Sequence, residues 1–300
     1  NESGNVKLIT VDAESLQEQI LAENIPSGNF DFTPDEKTLI YADKESPDAG
    51  KSDLMLLTTP EDRHPNNKDR YYLSKYGLFG GVKQRLTFGN KSTRLNDISR
   101  DSRYILYSVM ENTPTQRPFF VSSMYKLDLV TLSQEILWEK EGFAGTATFS
   151  PDGKNILIEG SAEAFGGVGM NIKEGQIANS YNRLAFIMDL STKNVDAFTK
   201  DFSPSIDDSF WNQADGLIYL RVTDKDYERI YTYNPQSKIF NQLNLSEDVV
   251  RSVSYAAKSA QAVYYGVGIS NSTKAYTLDL KNDRSVLIAD PYKERLDNLN

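Results

Sequence analysis

Cysteine is missing from this 300-residue chain, and histidine occurs once, at His64. Without cysteine there is no disulfide, thiolate zinc site or iron–sulfur cluster. One histidine cannot supply the imidazole set that metal-dependent propeller lyases and many hydrolases use. Positive charge is in the minority: 33 Lys+Arg face 42 Asp+Glu, for a net charge of −9. That balance argues against a nucleic-acid partner, which needs a basic face to neutralise phosphates. No stretch approaches about 18 consecutive apolar residues, so no transmembrane helix is expected. The opening Asn1-Glu2-Ser3-Gly4 has no basic and apolar signal segment. The chain is therefore either cytosolic or numbered from after a removed signal, and the lack of cysteine fits both. What is present is apolar mass: 39% hydrophobic and 11% aromatic residues, enough to bury a core. The length suits one large domain or two small ones.

A repeat runs through the sequence. Its clearest copy is Phe149-Ser150-Pro151-Asp152-Gly153-Lys154, leading into Asn155-Ile156-Leu157-Ile158. It reads as a strand, a tight Pro-Asp-Gly turn and an apolar returning strand. Weaker copies keep the offsets: Phe32-Thr33-Pro34-Asp35, Ile98-Ser99-Arg100-Asp101, Trp211-Asn212-Gln213-Ala214 and Tyr255-Ala256-Ala257-Lys258. Each copy has a second half in which apolar and polar residues alternate, turn and alternate again. Examples are Tyr125–Leu129 with Glu135–Trp138, and Ala275–Leu280 with Val286–Ile288. Period-2 alternation puts one face of each strand on a core. The anchors Phe32, Ile98, Phe149, Trp211 and Tyr255 are 66, 51, 62 and 44 residues apart. The shortest interval suits a bare four-stranded blade and the longer ones carry insertions. The expectation is an all-β fold, a β-propeller of four-stranded antiparallel blades with five full repeats. A β-sandwich with a chance turn is the competing fold, and five units in register argue against it.

Val6–Val11 and Gln17–Leu21 read as the last two strands of an earlier blade. The expected organisation is a propeller over 1–289, with a half blade at 1–25. Full blades fall at about 28–88, 94–140, 145–200, 206–244 and 250–289, and 290–300 begins a linker. A half blade leaves strand edges unpaired. The simplest expectation is a chain cut from a longer protein with six or more blades. A six-bladed ring closed by the half blade is the alternative.

Two segments look too long for hairpin turns, Thr58–Gly81 and Ser161–Asn182. Long loops are either functional or surface insertions packed on their own blade. Catalytic motifs are absent. There is no G-x-S-x-G elbow, and His64, in a polar loop before Pro65, suits a solvated surface better than a triad. Gly50-Lys51-Ser52 lacks the first glycine and the strand-to-helix setting of a P-loop. Gly166-Gly167-Val168-Gly169 lacks the βα setting of a dinucleotide site. Asp224, Asp226 and Glu228 alternate like calcium ligands, but Arg229 stands where the turn needs glycine, so a solvated loop is expected. Neither a metal nor a cofactor is called for. Most aromatics fall on strands, where they pack between blades. Phe119, Phe120, Phe165 and Tyr181 fall in connections and are the candidates to meet a ligand.

The repeats, Glu163-Ala164-Phe165-Gly166-Gly167-Val168-Gly169 with Asn179-Ser180-Tyr181, and the run from Pro60-Glu61-Asp62-Arg63 to Arg70-Tyr71-Tyr72 together resemble a known family. They look like the N-terminal propeller of prolyl oligopeptidase-family serine peptidases, in particular periplasmic members from Bacteroides-type bacteria. The resemblance covers almost the whole chain. The F-S-P-D-G-K repeat alone is shared with TolB-like propellers, and the two insertions make the match more specific. Asp290-Pro291-Tyr292 to Leu299 is similar to the family's segment leading into the catalytic domain.

The resemblance implies a non-catalytic propeller that gates and docks on an α/β-hydrolase domain carrying the Ser, Asp and His outside this chain. It implies a peptide substrate, that hydrolase domain as partner, and a periplasmic or secreted location. No family catalytic residue maps onto this sequence. The Glu-Glu pair with which dipeptidyl peptidase IV-like members hold a substrate amine is not matched, since Asp226-Tyr227-Glu228 differs. The candidates for contact with substrate or partner domain are Glu163, Phe165, Asn171 and Tyr181 of the second insertion, and Arg117 and Phe119. A stand-alone, TolB-like protein-binding propeller is the alternative function. A propeller enzyme in its own right is a third, disfavoured by the scarcity of histidine.

Overall fold

In the computed structural model the described residues are 6–25, 28–46, 68–177 and 181–293. They form two compact units, Asn1–Gly142 and Phe143–Asn300. His64, Gly50-Lys51-Ser52 and most of the first proposed insertion lie outside the described residues.

The first unit opens with a hairpin of β1 (Val6–Val11) and β2 (Glu18–Ile25). Two four-stranded antiparallel sheets follow. The first is β3 (Phe30–Phe32), β4 (Thr38–Glu45), β5 (Arg70–Gly77) and β6 (Lys83–Arg85). The second is β7 (Thr93–Ile98), β8 (Tyr104–Asn112), β9 (Phe120–Asp128) and β10 (Gln134–Glu141). In the second unit the first sheet is β11 (Ala144–Phe149), β12 (Asn155–Ser161), β13 (Arg183–Asp189) and β14 (Val195–Asp196). Next come β15 (Ser205–Trp211), β16 (Ile218–Asp224), β17 (Tyr227–Asn234) and β18 (Ile239–Gln242). The last four are β19 (Val249–Tyr255), β20 (Gln261–Gly268), β21 (Asn271–Asp279) and β22 (Arg284–Ala289). One parallel bridge, Glu228 to Val249, joins these last two groups. Up-and-down sheets of four strands, repeated in this order, make a β-propeller.

Every anchor read from the sequence ends the first strand of its sheet: Phe32, Ile98, Phe149, Trp211 and Tyr255. The turn that follows explains the repeat. In the third full sheet the buried Ser150 hydroxyl donates to Asp152 at 2.7 Å and accepts from Asn155 N–H at 2.9 Å. Asp152 accepts from Lys154 N–H at 3.1 Å, and Gly153 takes φ 68°. Thr33 with Asp35 and Ser99 with Asp101 repeat the same bonds, at 2.6 and 2.5 Å. The hydroxyl from Thr33 holds the Asp35 carboxyl below the usual range. Asn212 takes the place in the fourth sheet, accepting from Ala214 N–H at 2.9 Å. A short polar side chain here satisfies backbone groups that the turn would otherwise bury unbonded.

A second recurrent turn joins the third and fourth strands. Asp128, Asp189, Asn234 and Asp279 each accept N–H bonds from the residues two and three ahead, at 2.8–3.3 Å. The residue four ahead is left-handed in each: Leu132, Lys193, Lys238 and Asp283. Asp12 makes the same turn between β1 and β2, with Leu16 left-handed. The hairpin thus carries the chemistry of a third-and-fourth-strand pair, as a half blade should. The two turn types are tied at one end in four of the five groups, the fourth having Pro235 where the N–H would stand. Leu129 N–H donates to Arg103 C=O at 2.7 Å, and Leu190 N–H to Lys154 C=O at 2.9 Å.

Packing follows the period of two. On β16, Tyr219 faces a cluster with Val250, Tyr264 and Tyr276, while Ile218, Leu220 and Val222 face one with Leu157, Ala185 and Ile206. In the first unit Leu39 and Tyr41 turn to the hairpin, and Ile40 turns to Ile105 and Leu127. Each fully buried Leu or Ile contributes about 1.5–3 kcal/mol over an exposed one.

Three expectations need correction. The first insertion does not reach Gly81, because Arg70–Gly77 is the third strand of its sheet and Lys83–Arg85 the fourth. Tyr72, Leu73 and Ser74 are all buried, so both faces are covered and alternation disappears. Phe120 is the first residue of β9, paired with Asn112, rather than part of a loop. Asp224 and Glu228 lie on a tight β16–β17 hairpin with left-handed Lys225 at its tip.

Candidate functional site

In a four-stranded sheet whose turns share one end, the connection from second to third strand leaves from the other end. The departures from the repeat collect there: residues 46–69 after β4, 113–119 after β8 and 162–182 after β12. All six candidate residues fall in these connections, Arg117 and Phe119 in the first unit and the other four in the second.

The 162–182 connection is built stepwise. Glu163 N–H donates to Ser161 Oγ at 3.2 Å, and Glu163 C=O accepts from Gly167 N–H at 3.1 Å. Within the one-turn helix α1 (Ala164–Gly167), Phe165 and Gly166 are both left-handed, at φ 54° and 73°. The sharp turn lays the Phe165 ring edge-on against Phe186, with centroids 5.8 Å apart. Gly169 then passes so close that a Cβ would stand 2.8 Å from Leu184 Cδ1, so only glycine fits there unshifted. Asn171 Nδ2 donates to Asp201 Oδ1 at 2.6 Å and pins the strap to the segment beyond β14. Past that pin the apolar side chains project outward. Ile177 is 95% exposed and Tyr181 91%. Phe165 and Asn171 therefore hold the connection, and Tyr181 is its exposed aromatic. In the first unit the Arg117 guanidinium lies over the Phe119 ring, 5.3 Å from its centroid, and both are exposed.

Sequence reading missed a charged row at the foot of this connection. Glu159, only 7% exposed, accepts from Ser209 Oγ at 2.8 Å and pairs with Arg183. Arg183 also donates to Asp207 C=O at 3.3 Å. The row continues through Asp207–Arg221 at 3.7 Å, Arg221–Glu228 at 3.5 Å and Glu228–Arg251 at 2.7 Å. Burial pushes the Glu159 carboxyl up, against the pull of the Ser209 hydroxyl and the Arg183 charge. The signal was a lone acid in the apolar run Ile156-Leu157-Ile158-Glu159, on a strand with both faces buried. A row of paired opposite charges can orient a polar ligand or dock a polar surface. Among the described residues no group of three or more His, Asp or Glu is placed to hold a metal. No helix of the described residues is long and apolar enough to cross a membrane.

The comparisons bear on the class. No family model matches the sequence, and no curated protein matches it. Solved structures do match. Acylaminoacyl peptidase from Pyrococcus horikoshii aligns with a TM-score of 0.68 at 12% identity, over 99% of this chain and 43% of that one. A puromycin hydrolase aligns with a TM-score of 0.59 at 13% identity, over 88% and 38%. TolB from Acinetobacter baumannii aligns with a TM-score of 0.50 at 19% identity, over 73% and 49%. The chain spans less than half the length of each. At these identities the likeness establishes the fold: the β-propeller that these peptidases carry as a domain.

Proposed function

We propose that this chain is the non-catalytic propeller of a serine peptidase of the prolyl oligopeptidase family, gating and docking on an α/β-hydrolase domain outside it. The observation that carries the reading is the alignment of 99% of this chain to 43% of an acylaminoacyl peptidase. The departures from the repeat support it, since they gather in the second-to-third-strand connections, where each sheet is free of the turn chemistry that the fold needs. In this reading Tyr181, with Glu163, and the Arg117–Phe119 pair contact peptide or the partner domain. Phe165 and Asn171 hold the strap that presents them. The protein belongs in the periplasm or outside the cell, as the resemblance to periplasmic peptidases implies.

The TolB likeness favours a second reading, a propeller that binds another protein. One experiment separates the two. The gene is read downstream of Asn300, and its full product is assayed for peptide hydrolysis. A G-x-S-x-G segment followed by Asp and His, with hydrolysis lost on replacing that serine, supports the peptidase. A stop codon close behind Asn300 overturns it in favour of the protein-binding propeller.

A further inference from the structure

The charged row begins with a side chain that the repeat does not ask for. Counted from the partner of each anchor, the place that Glu159 takes on β12 holds Ala42, Ser108, Arg221 and Tyr265 in the other four sheets. Of the five only Glu159 is buried. An ionised carboxyl in such a place costs free energy that a neutral side chain would not.

Its contacts converge on the root of the 162–182 connection. The ladder of β12 and β13 ends at the pair Ser161 and Arg183, and the connection leaves and returns through that pair. Glu159 stands two residues before the departure, and it pairs with Arg183, the first residue after the return. Other groups face it from three strands. Thr146 Oγ1 of β11 donates to it at 3.4 Å and Ser209 Oγ of β15 at 2.8 Å. Asp208 of β15 adds a like charge. Asp207 beside it pairs with Arg221 of β16 and gives its C=O to Arg183. The return end has few other fastenings. Arg183 N–H donates to Ser205 Oγ at 3.1 Å, and the Asn171–Asp201 bond lies twelve residues back.

The two partners differ in their access to water. The Glu159 side chain is 9% exposed and that of Arg183 42%. When the pair breaks, the guanidinium can turn into solvent, and the carboxyl stays behind. Burial pushes that carboxyl above the usual range, and the Asp208 charge adds to the push. Its proton therefore arrives before those of the turn-end aspartates as pH falls.

We propose that Glu159 is a positioning residue that holds the return end of the 162–182 connection through Arg183 and lets it go on taking a proton. The carboxylate holds the guanidinium against β15. Once solvent delivers a proton to it, the ion pair is lost, Arg183 turns to water and the Ser161–Arg183 end of the ladder frays. Tyr181, two residues before Arg183, then loses its fixed place. The clamp follows from this unit alone; what a released Tyr181 would cease to contact rests on the peptidase reading.

The test is hydrogen exchange of peptides spanning 162–184, corrected for the intrinsic effect of pH. It is run between about pH 7.5 and 5, above the range in which carboxylates with lowered values drain stability. Protection of the connection is expected to fall about tenfold on acidification, while the interior of β12 holds. Glu159→Gln keeps the contact with Ser209 without the charge, and should show the acid level of exchange at every pH. The native state takes this proton before the unfolded chain does, so the melting temperature should hold or rise as pH falls through the same window. Equal protection across the window in the wild-type protein would overturn the proposal, and this profile decides even where the variant does not fold. So would wild-type protection in folded Glu159→Gln at neutral pH. No peptidase assay enters, so the clamp and the peptidase reading fail separately.

Discussion

The two ends of the four-stranded sheets obey different rules. At the turn end the same chemistry recurs in most copies: a short polar residue after the anchor in four, an aspartate two further on in three, and an aspartate or asparagine capping the outer hairpin in four. At the opposite end the second-to-third-strand connections range from two residues, at 225–226 and 269–270, to the 21 of 162–182 and the 24 of 46–69, and no two share a sequence. The fold needs the first end to repeat and leaves the second free to vary. Function is free to settle where repetition stops.

That contrast can be tested by mutation. The largest effect is expected at the one built feature of the variable end. Glu159→Ala removes the partner of Arg183 and Ser209 and should cost about 2–3 kcal/mol in denaturant unfolding, less than for a fully buried pair because Arg183 is partly exposed. A smaller loss, about 1–2 kcal/mol, is expected for Ser150→Ala, which strips the buried turn of its bonds to Asp152 and Asn155. The same change at an exposed serine of a connection should cost little.

Acid should act through the turn end. The hydrogen bonds from Thr131 and Val130 N–H, with the Arg103 charge and against some desolvation, bring the Asp128 carboxyl down to about 2. The Ser191 and Thr192 hydroxyls and amides do the same for Asp189, to about 2. In the unfolded chain both titrate near 3.9. The native state then binds fewer protons between these values, so their stabilisation is full above about pH 5 and drains as pH falls from about 4 to 2. Melting temperature followed across that window should fall, and Asp128→Asn with Asp189→Asn should flatten the slope. The smallest stability effect, within about 0.5 kcal/mol, is expected for Ile177→Ala with Tyr181→Ala, both nearly fully exposed.

Much of this was legible in the sequence, for reasons that the structure makes concrete. The five anchors stood out because a buried turn tolerates few side chains, and Thr33, Ser99, Ser150 and Asn212 all sit there. The half blade was legible from the alternation in Val6–Val11, and the Asp12 turn now gives it a second signature. What stayed hidden lacked a local pattern. β5 reads as part of an insertion because burial on both faces erases alternation. The outer-hairpin aspartates are one acid among many until the bonds are seen. Glu159 finds Arg183 and Ser209 only through strand pairing. Of the candidate contacts, length and glycine content marked the 162–182 connection correctly as a separate element. They did not reveal that Phe165 and Asn171 fasten it while Tyr181 projects.

The most direct test of the central claim uses that division of roles. Ile177→Ala with Tyr181→Ala is introduced into the full-length gene product, and kcat/KM is measured over a panel of peptides alongside the melting temperature. The account predicts altered selectivity among peptides at an unchanged melting temperature. Unchanged kinetics for every peptide would contradict it and return this connection to a surface insertion without a role.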